Sequence, residues 1–183
     1  CRGFEISSNN VFRKLAWDNW KDNPTAFVDG LNNKIRITAD FPFELEGLRK
    51  ARIKHPSERN SRGQLTWSDS DLPQIAMGYT STITPLHTIN FYNAIANGGV
   101  MVRPHLVESI EKDGVVIRSF PTEVLGRVCK KATADTLHRA MRRVVTEVGA
   151  TGYWVFNGCR VNIAGKTGTA RVGYGKGSSL KQH

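Results

Sequence analysis

Apolar residues recur at helical spacing near the start of the chain. Val11, Leu15 and Ala16 form one stripe, which predicts a helix over Phe4–Trp20 that is entered through the polar residues 7–10. Start and stop signals bound further helices, because asparagine and threonine cap a helix, proline fits its first turn and glycine ends it. These helices run from Asn23-Pro24 to Asn33, from Thr84-Pro85 to Asn97–Gly99, and from Thr133 to Val148 before Gly149.

Short apolar runs predict β structure in the second half of the chain. Val100–Phe120 is predicted to form a hairpin around a turn at Lys112–Gly114. Val161–Val172 is predicted to be a strand, although Gly165 and Gly168 interrupt it. Glycines inside a strand often mark the close approach of a ligand or another backbone.

Residues 40–71 are polar, charged and broken by prolines and glycines, which predicts a long irregular loop region. Such a stretch inside a domain is usually functional or mobile. The 183 residues match one domain in size, and 39% hydrophobic with 23% charged residues is the composition of a globular protein. No apolar run approaches the roughly 20 residues that span a bilayer, and no secretory signal opens the chain. Any export signal or anchor is therefore expected outside these residues.

The net charge of +10 would favour anionic partners such as nucleic acid, anionic lipid or an acidic polymer. Basic residues cluster at 49–54 and at 139–143, but neither cluster has interleaved aromatics that could stack on bases. Solvated basic faces and no nucleic-acid partner are therefore predicted. Salt-sensitive retention on DNA would favour the nucleic-acid alternative.

The cysteines give no sign of a metal centre or a disulfide framework. Cys1, Cys129 and Cys159 are an odd set without C-x-x-C spacing, and the histidines show no ligand spacing. Cys129 and Cys159 are predicted to be buried or half-buried thiols. No metal and no cofactor are expected.

The most informative segment is a Lys-Thr-Gly triplet, Lys166–Gly168, followed by Thr169. A phosphate-binding loop, G-x-x-x-x-G-K-[ST], would need glycine where Arg160 stands, and it would have to run into a helix. Gly168 and the glycines after it disfavour a helix. The sequence therefore argues against a nucleotide site.

The same triplet suits a serine acyltransferase of the type that reacts with penicillin. Lys166 can supply positive charge to a substrate carboxylate and assist proton transfer, and the Thr167 hydroxyl can bind the same carboxylate. Gly168 lets a substrate backbone lie along the strand edge, and the Thr169 N–H can face an oxyanion. The chemistry predicts Lys166 as a catalytic residue and Thr167, Gly168 and Thr169 as substrate-binding residues.

This class also carries an S-x-N element upstream, which Ser7 and Asn9 can supply. Helix capping by serine and asparagine is the alternative explanation, and Ser8 with Asn10 is an alternative register. Ser7 and Asn9 are preferred as catalytic residues because the residues that follow, 11–15, then align with the helix found in that class.

Four blocks between these motifs resemble class B penicillin-binding proteins of the cell-division branch. The blocks, in the family's order, are Gly78-Tyr79, Ile83–Leu86, Phe91–Gly99 and Val102–Val107. His87 replaces the family's usual glutamine. The resemblance implies an α+β fold, part of the penicillin-binding and β-lactamase-like serine transpeptidase fold: a helical subdomain plus the K-T-G strand of an antiparallel sheet. It also implies that residues 1–183 are a partial transpeptidase domain, incomplete at both ends.

The resemblance implies a peptidoglycan D,D-transpeptidase that cross-links stem peptides through a serine acyl-enzyme and is inhibited by β-lactams. The partners implied are D-Ala-D-Ala stem peptides, β-lactam antibiotics and cell-division or cell-wall synthesis proteins. The implied location is the periplasmic face of the inner membrane. The nucleophile of the family lies in S-x-x-K upstream of S-x-N, so we expect it outside this chain. Ser178–Lys181 has that spacing but lacks the helix the motif needs.

Two alternatives belong to related classes. A β-lactamase would need a water-activating glutamate, but Glu44 and Glu46 lack the Leu-Asn expected after it, which favours solvated loop carboxylates. A catalytically dead or sensor-type penicillin-binding domain is also compatible with a missing serine. An S-x-x-K in the protein's sequence before Cys1 would favour the enzyme.

Overall fold

The computed structural model describes residues 1–172 and 179–182, with side chains through Thr169. The chain forms two compact units, each described separately below. The first unit combines Cys1–Phe12 with Thr136–His183, and the second is Arg13–Asp135. In the described residues, no helix is long and apolar enough to cross a membrane.

The described elements mix helices with antiparallel strand pairs, which confirms the α+β class. The helices are α1 (Arg2–Glu5), α2 (Asn9–Trp20), α3 (Pro24–Asp29), which continues into a π-helical turn over Gly30–Lys34, α4 (Asp71–Ala76), α5 (Pro85–Ala96), α6 (Lys131–Thr146) and α7 (Tyr153–Phe156). The strands are β1 (Arg52–Ile53), β2 (Ser81–Thr82), β3 (Val100–Val102), β4 (Ser109–Lys112), β5 (Val115–Ser119), β6 (Val124–Arg127), β7 (Thr169–Val172) and β8 (Ser179–Gln182). The pairs are β1–β2, β3–β6, β4–β5 and β7–β8, all antiparallel.

The helix predicted over Phe4–Trp20 is instead two helices, separated by a turn at Ser7. Ser7 has φ 53°, in the left-handed region that usually requires glycine. Its N–H bonds the Phe4 carbonyl at 3.2 Å, and the Ser8 N–H bonds the Gly3 carbonyl at 2.8 Å. This pair of bonds is the Schellman arrangement that ends a helix. The polar residues therefore stop α1 before α2 begins.

The first unit holds a carboxylate in its interior. Glu5, the last residue of α1, is 1% exposed. Arg143 on α6 places Nε 2.8 Å from Glu5 Oε1, and Arg2 places Nη1 3.4 Å from Oε2. Ion pairing compensates the burial of this charge. The pair also connects α1 to α6, and so holds the end of α1 that leads into the turn at Ser7.

The second unit is built on two small clusters of buried apolar side chains. Val28, Ile53 and Ile75 form one, and Ala94, Met101 and Val128 form the other. Helix α5 lies between the start and stop signals predicted for it. The Thr84 side chain accepts a hydrogen bond from the His87 N–H at 3.3 Å, and Pro85 is the first helical residue. Its predicted boundaries are confirmed.

The predicted hairpin over Val100–Phe120 is correct only in its second part. Strands β4 and β5 pair around Asp113 and Gly114, whose φ values of 52° and 76° fit the tight turn. Strand β3, however, pairs with β6. Gly99, the residue before β3, lies directly against Cys129, since a Cβ there would be 2.2 Å from the Cys129 carbonyl oxygen. The backbone at β3 is thus packed against the chain that follows β6.

The strand predicted over Val161–Val172 is also shorter than expected, since β7 begins only at Thr169. The Gly165 N–H donates to the Met141 carbonyl at 3.3 Å, so this backbone is engaged by α6 and not by a neighbouring strand. Strand β7 pairs with β8 from Thr169 to Val172. Ser178, in the Ser-x-x-Lys spacing noted above, lies outside the described residues.

Between residues 40 and 71 the structure contains β1, the isolated bridge between Arg59 and Leu65, and otherwise irregular chain and turns. Polar contacts hold part of this region. Lys54 Nζ lies 2.7 Å from Asp71 Oδ2, and the Thr66 N–H bonds the Glu58 carbonyl at 2.9 Å. A functional or mobile role for the region stays a prediction.

Trp154–Phe156 belongs to α7, where Trp154 is 79% exposed and Val155 76%. One packing expectation is wrong. Cys159 was expected to be buried or half-buried and is exposed, whereas Cys129 is half-buried against the Ala94 cluster. Helix α6 also begins at Lys131, two residues before the predicted start at Thr133.

Candidate active site

The first unit brings Ser7 and Lys166 into direct contact although 159 residues separate them. Lys166 Nζ donates to Ser7 Oγ at 2.6 Å. Ser7 stands in the left-handed turn that follows α1. A residue other than glycine in this conformation costs about 1–2 kcal/mol, and such backbone strain clusters at functional sites.

Lys166 is held in a partly desolvated position. Its Nζ also donates to the Thr167 carbonyl at 2.9 Å and lies 5.7 Å from the centroid of the Phe4 ring. Burial lowers the pKa of the Lys166 ammonium below its ordinary value, because it penalises the charged form. Among the described residues, no ion pair of Lys166 with a carboxylate occurs. This cation is therefore available to an anionic ligand.

The Thr167 hydroxyl is joined to the same region through Thr151. The two hydroxyl oxygens are 2.7 Å apart. Thr151 in turn bonds the Glu5 carbonyl twice, through its N–H at 3.1 Å and its hydroxyl at 3.3 Å. The K-T-G segment is thereby linked to the residue two positions before Ser7.

Two contributors to this site were missed by sequence reasoning. Glu5 holds the turn through its carboxylate, and Thr151 holds it through hydrogen bonds. Thr151 lies in the short loop between α6 and α7, where Gly149 with φ 72° and the tightly packed Gly152 are the only local signals. The sequence around Glu5 and Thr151 contains no motif spacing that would predict the residues they contact.

The remaining candidate residues are open to solvent. Asn9 is the first residue of α2 and is exposed, as are Gly168 and Thr169. A Cβ placed on Gly168 would meet nothing within 4 Å among the described atoms. The structure thus joins Ser7, Lys166 and Thr167 by hydrogen bonds, and it places Asn9, Gly168 and Thr169 along the chain beside them.

A second Ser-x-x-Lys spacing, at Ser109–Lys112, does not supply a nucleophile of the required type. These residues form strand β4, and Ser109 Oγ donates to Glu111 Oε1 at 3.1 Å. A strand does not place the serine and the lysine one helical turn apart, as the motif requires. Glu44 and Glu46 are exposed loop residues, in agreement with their interpretation as solvated carboxylates.

The basic cluster at 139–143 is only partly a solvated face. Arg143 pairs with Glu5, and Arg142 Nη1 donates to Asn162 Oδ1 at 3.0 Å. Arg139 is exposed and bonds its own helix at Thr136 Oγ1. In the described part of the chain, no group of three His, Cys, Asp or Glu side chains is arranged to hold a metal ion.

Comparison with known families gives one match across nearly the whole chain. Residues 2–183 match the model of the penicillin binding protein transpeptidase domain. The peptidoglycan D,D-transpeptidase MrdA of Haemophilus influenzae is 28% identical over 176 residues, which are 91% of this chain and 25% of that protein. Penicillin-binding protein 2B of Streptococcus pneumoniae is 34% identical over 156 residues, 80% of this chain and 22% of that protein. The chain spans about a quarter of the length of these relatives.

Solved structures show the same fold. A structure of penicillin-binding protein 2B from Streptococcus pneumoniae superposes with a TM-score of 0.78 at 21% identity, covering 97% of this chain and 31% of that one. The structure of PBPA from Mycobacterium tuberculosis has a TM-score of 0.67 at 24% identity, covering 94% of this chain and 37% of that one.

Proposed function

The chain belongs to the transpeptidase domain family of class B penicillin-binding proteins, and we propose that the protein is a peptidoglycan D,D-transpeptidase acting through a serine acyl-enzyme. One observation carries the assignment of the site: the 2.6 Å contact between Lys166 Nζ and Ser7 Oγ. It joins two motifs that chemistry requires to act together. The nucleophilic serine is proposed to come from a part of the protein outside these 183 residues.

The hydrogen bonds at Ser7 suit proton transfer. A protonated lysine has only donors, so Ser7 Oγ must accept the bond from Lys166. The hydroxyl hydrogen of Ser7 then remains free for another acceptor. In the proposed reaction that acceptor is the nitrogen of the departing D-Ala, and Lys166 stabilises the negative charge that develops on Ser7 Oγ during the transfer.

The acyl transfer balances in two steps. The nucleophilic serine loses its hydroxyl proton as its oxygen bonds the carbonyl carbon of the penultimate D-Ala. The peptide bond breaks, and that proton reaches the nitrogen of the departing D-Ala through Ser7. An amine from a neighbouring stem peptide then forms a new amide with that carbon, giving its proton back along the same route and releasing the serine. Asn9 is proposed to hydrogen-bond the substrate or to position the lysine of the nucleophile.

The carboxylate end of the substrate is proposed to lie against Lys166 and Thr167. The Lys166 ammonium, which has no carboxylate partner within the described part of the chain, and the hydroxyl beside it offer charge-assisted bonds to an anionic terminus. The open space over Gly168 admits a substrate backbone, and the Thr169 N–H can face the oxyanion of the tetrahedral intermediate. A β-lactam carries the same carboxylate and would acylate the same serine. No metal or cofactor takes part in this scheme.

The biological setting is proposed from the resemblance alone. The substrates are stem peptides ending in D-Ala-D-Ala, and the location is the periplasmic face of the inner membrane, with an anchor supplied outside these residues. Cell-division or other cell-wall synthesis proteins are the proposed partners.

The test is covalent labelling of the full-length protein with a fluorescent penicillin. Lys166→Ala is expected to abolish most labelling, whereas Lys112→Ala, which changes an exposed lysine on β4, is expected to leave it unchanged. The isolated 183-residue chain is expected to stay unlabelled. Equal labelling of the wild type and Lys166→Ala would refute the site, and labelling of the isolated chain would show that the nucleophile lies within it.

The same labelling experiment separates the alternatives. A stable acyl adduct in a protein that forms no cross-links would identify a sensor-type domain. Rapid release of the hydrolysed antibiotic would identify a β-lactamase. A protein that both labels stably and cross-links stem peptides is the outcome expected here.

A further inference from the structure

Thr151 stands between the two motifs of the site but belongs to neither. Its hydroxyl is 2.7 Å from the Thr167 hydroxyl, a distance typical of a good O–H···O hydrogen bond. Its other hydroxyl contact, to the Glu5 carbonyl, is 3.3 Å long and therefore weak. The stronger of the two bonds is thus the one directed at the K-T-G segment.

The direction of these bonds follows from counting hydrogens. The Glu5 carbonyl has no hydrogen and can only accept, so Thr151 donates to it. Each hydroxyl has a single hydrogen, so while Thr151 donates to the Glu5 carbonyl, the bond between the two hydroxyls is donated by Thr167. In this state the hydrogen of Thr167 is turned away from any ligand.

A carboxylate that binds at Thr167 would reverse the direction of the hydrogen bond between the Thr151 and Thr167 hydroxyls. The carboxylate accepts only, so the Thr167 hydrogen must turn towards it. Thr151 can then turn its own hydrogen from the Glu5 carbonyl to Thr167 Oγ1. The Glu5 carbonyl keeps its 3.1 Å bond from the Thr151 N–H, so the switch leaves no backbone group unpaired.

We propose that Thr151 is a positioning residue whose hydroxyl switches from the Glu5 carbonyl to Thr167, so that Thr167 becomes a stronger donor to the carboxylate of the substrate. The inference rests on the function proposed above. A chain of hydrogen bonds running towards an anion polarises each member and strengthens the terminal bond. Thr151 thereby favours ligands that carry a carboxylate over ligands that do not.

The backbone of Thr151 has a separate role that the test must leave intact. Its N–H bond to Glu5 connects the α6–α7 loop to the turn at Ser7. Thr151→Val keeps this N–H and the shape of the side chain and removes only the hydroxyl. Thr151→Ser keeps the hydroxyl, and Thr146→Val removes an exposed threonine hydroxyl that donates to the Arg142 carbonyl of its own helix.

The experiment compares acylation of the full-length protein by benzylpenicillin and by its methyl ester, which lacks the negative charge. For Thr151→Val we expect the acylation rate constant to fall roughly 10-fold with benzylpenicillin and less than about 2-fold with the ester, the size of one charge-assisted hydrogen bond. Thr151→Ser should restore most of the loss, and Thr146→Val should behave as wild type.

A cycle with Thr167→Val decides whether Thr151 acts through Thr167. In the Thr167→Val background, Thr151→Val should add no further loss with benzylpenicillin. Equal losses with both probes, or a full additional loss in the double variant, would overturn the role of Thr151 while leaving the transpeptidase proposal standing. A wild-type protein that neither probe acylates would overturn both.

Discussion

The ion pair beneath the Ser7 turn predicts a measurable loss of stability on its removal. Arg143 Nε lies 2.8 Å from Glu5 Oε1, and the side chain of Glu5 is 2% exposed whereas that of Arg143 is 47% exposed. The perturbation is Arg143→Met, which keeps an apolar stem on α6 and removes the charge. Of the cations that the structure describes near the buried carboxylate, it leaves Arg2, whose Nη1 is 3.4 Å away.

Two limits bracket the cost of this change. Breaking a fully buried pair costs about 3–5 kcal/mol, and breaking an exposed pair costs about 0–1 kcal/mol. Arg143 is half solvated and Glu5 retains one weaker partner, so we expect a loss of about 2 kcal/mol in the free energy of unfolding. For a domain of this size that lowers Tm by roughly 4–8 °C.

The assay is thermal unfolding of the full-length protein together with penicillin acylation. Arg139→Met is the matched control, since Arg139 lies one turn earlier on α6, is exposed and donates to Thr136 Oγ1 of its own helix. Because Glu5 anchors the turn that carries Ser7, Arg143→Met should also slow acylation. Glu5→Gln should make the loss from Arg143→Met smaller than it is in the wild type.

Two results would refute this reasoning. If Arg143→Met and Arg139→Met lower Tm equally, the buried carboxylate does not depend on Arg143. If the losses from Glu5→Gln and Arg143→Met are additive, the two side chains are not coupled, and the turn at Ser7 is held by other contacts.

Two further predictions concern the lysine of the site and a glycine of the second unit. Because burial lowers the pKa of Lys166, carboxylate binding by its ammonium should be lost as pH rises through a value below 10.5; the alkaline limb of benzylpenicillin acylation should move to higher pH in Lys166→Arg, and an unmoved limb would contradict the role of that charge. Gly99→Ala would place a Cβ 2.2 Å from the Cys129 carbonyl oxygen, whereas in Gly98→Ala the Cβ would lie 3.6 Å from its nearest neighbour, and both positions have positive φ. Gly99→Ala should therefore lower Tm by several degrees more than Gly98→Ala, and equal shifts would show that backbone strain alone, and not the contact, sets the cost.

The features that could be predicted from the sequence are those that depend on residues close together along the chain. Thr84-Pro85 and Asn97–Gly99 bound α5 because capping and chain reversal are local events. The extent of the strand at 161–172 could not be predicted in this way. Whether Gly165 bonds a strand or the Met141 carbonyl depends on which part of the chain packs beside it.

The candidate site likewise contains residues that sequence motifs identify and residues that only the folded contacts identify. Ser7 and Lys166 were identified together because motif chemistry requires both, and the structure places them in contact. The contacts of Glu5 with Arg143 and of Thr151 with the Glu5 carbonyl join residues more than 130 positions apart, and no sequence spacing indicates either contact. A buried ion pair and a shared hydroxyl are properties of the folded contact, so sequence patterns alone did not disclose them.

The left-handed turn at Ser7 restricts what could replace that residue. Glycine would adopt the positive φ of this helix end without backbone strain, but it would remove the hydroxyl. Threonine would keep a hydroxyl, but its β-branch is poorly tolerated at positive φ. Asparagine tolerates the conformation and lacks the hydroxyl. Serine thus combines a tolerable backbone conformation with the hydroxyl that contacts Lys166, and substitutions chosen only to improve the helix end would remove the group to which we assign proton transfer.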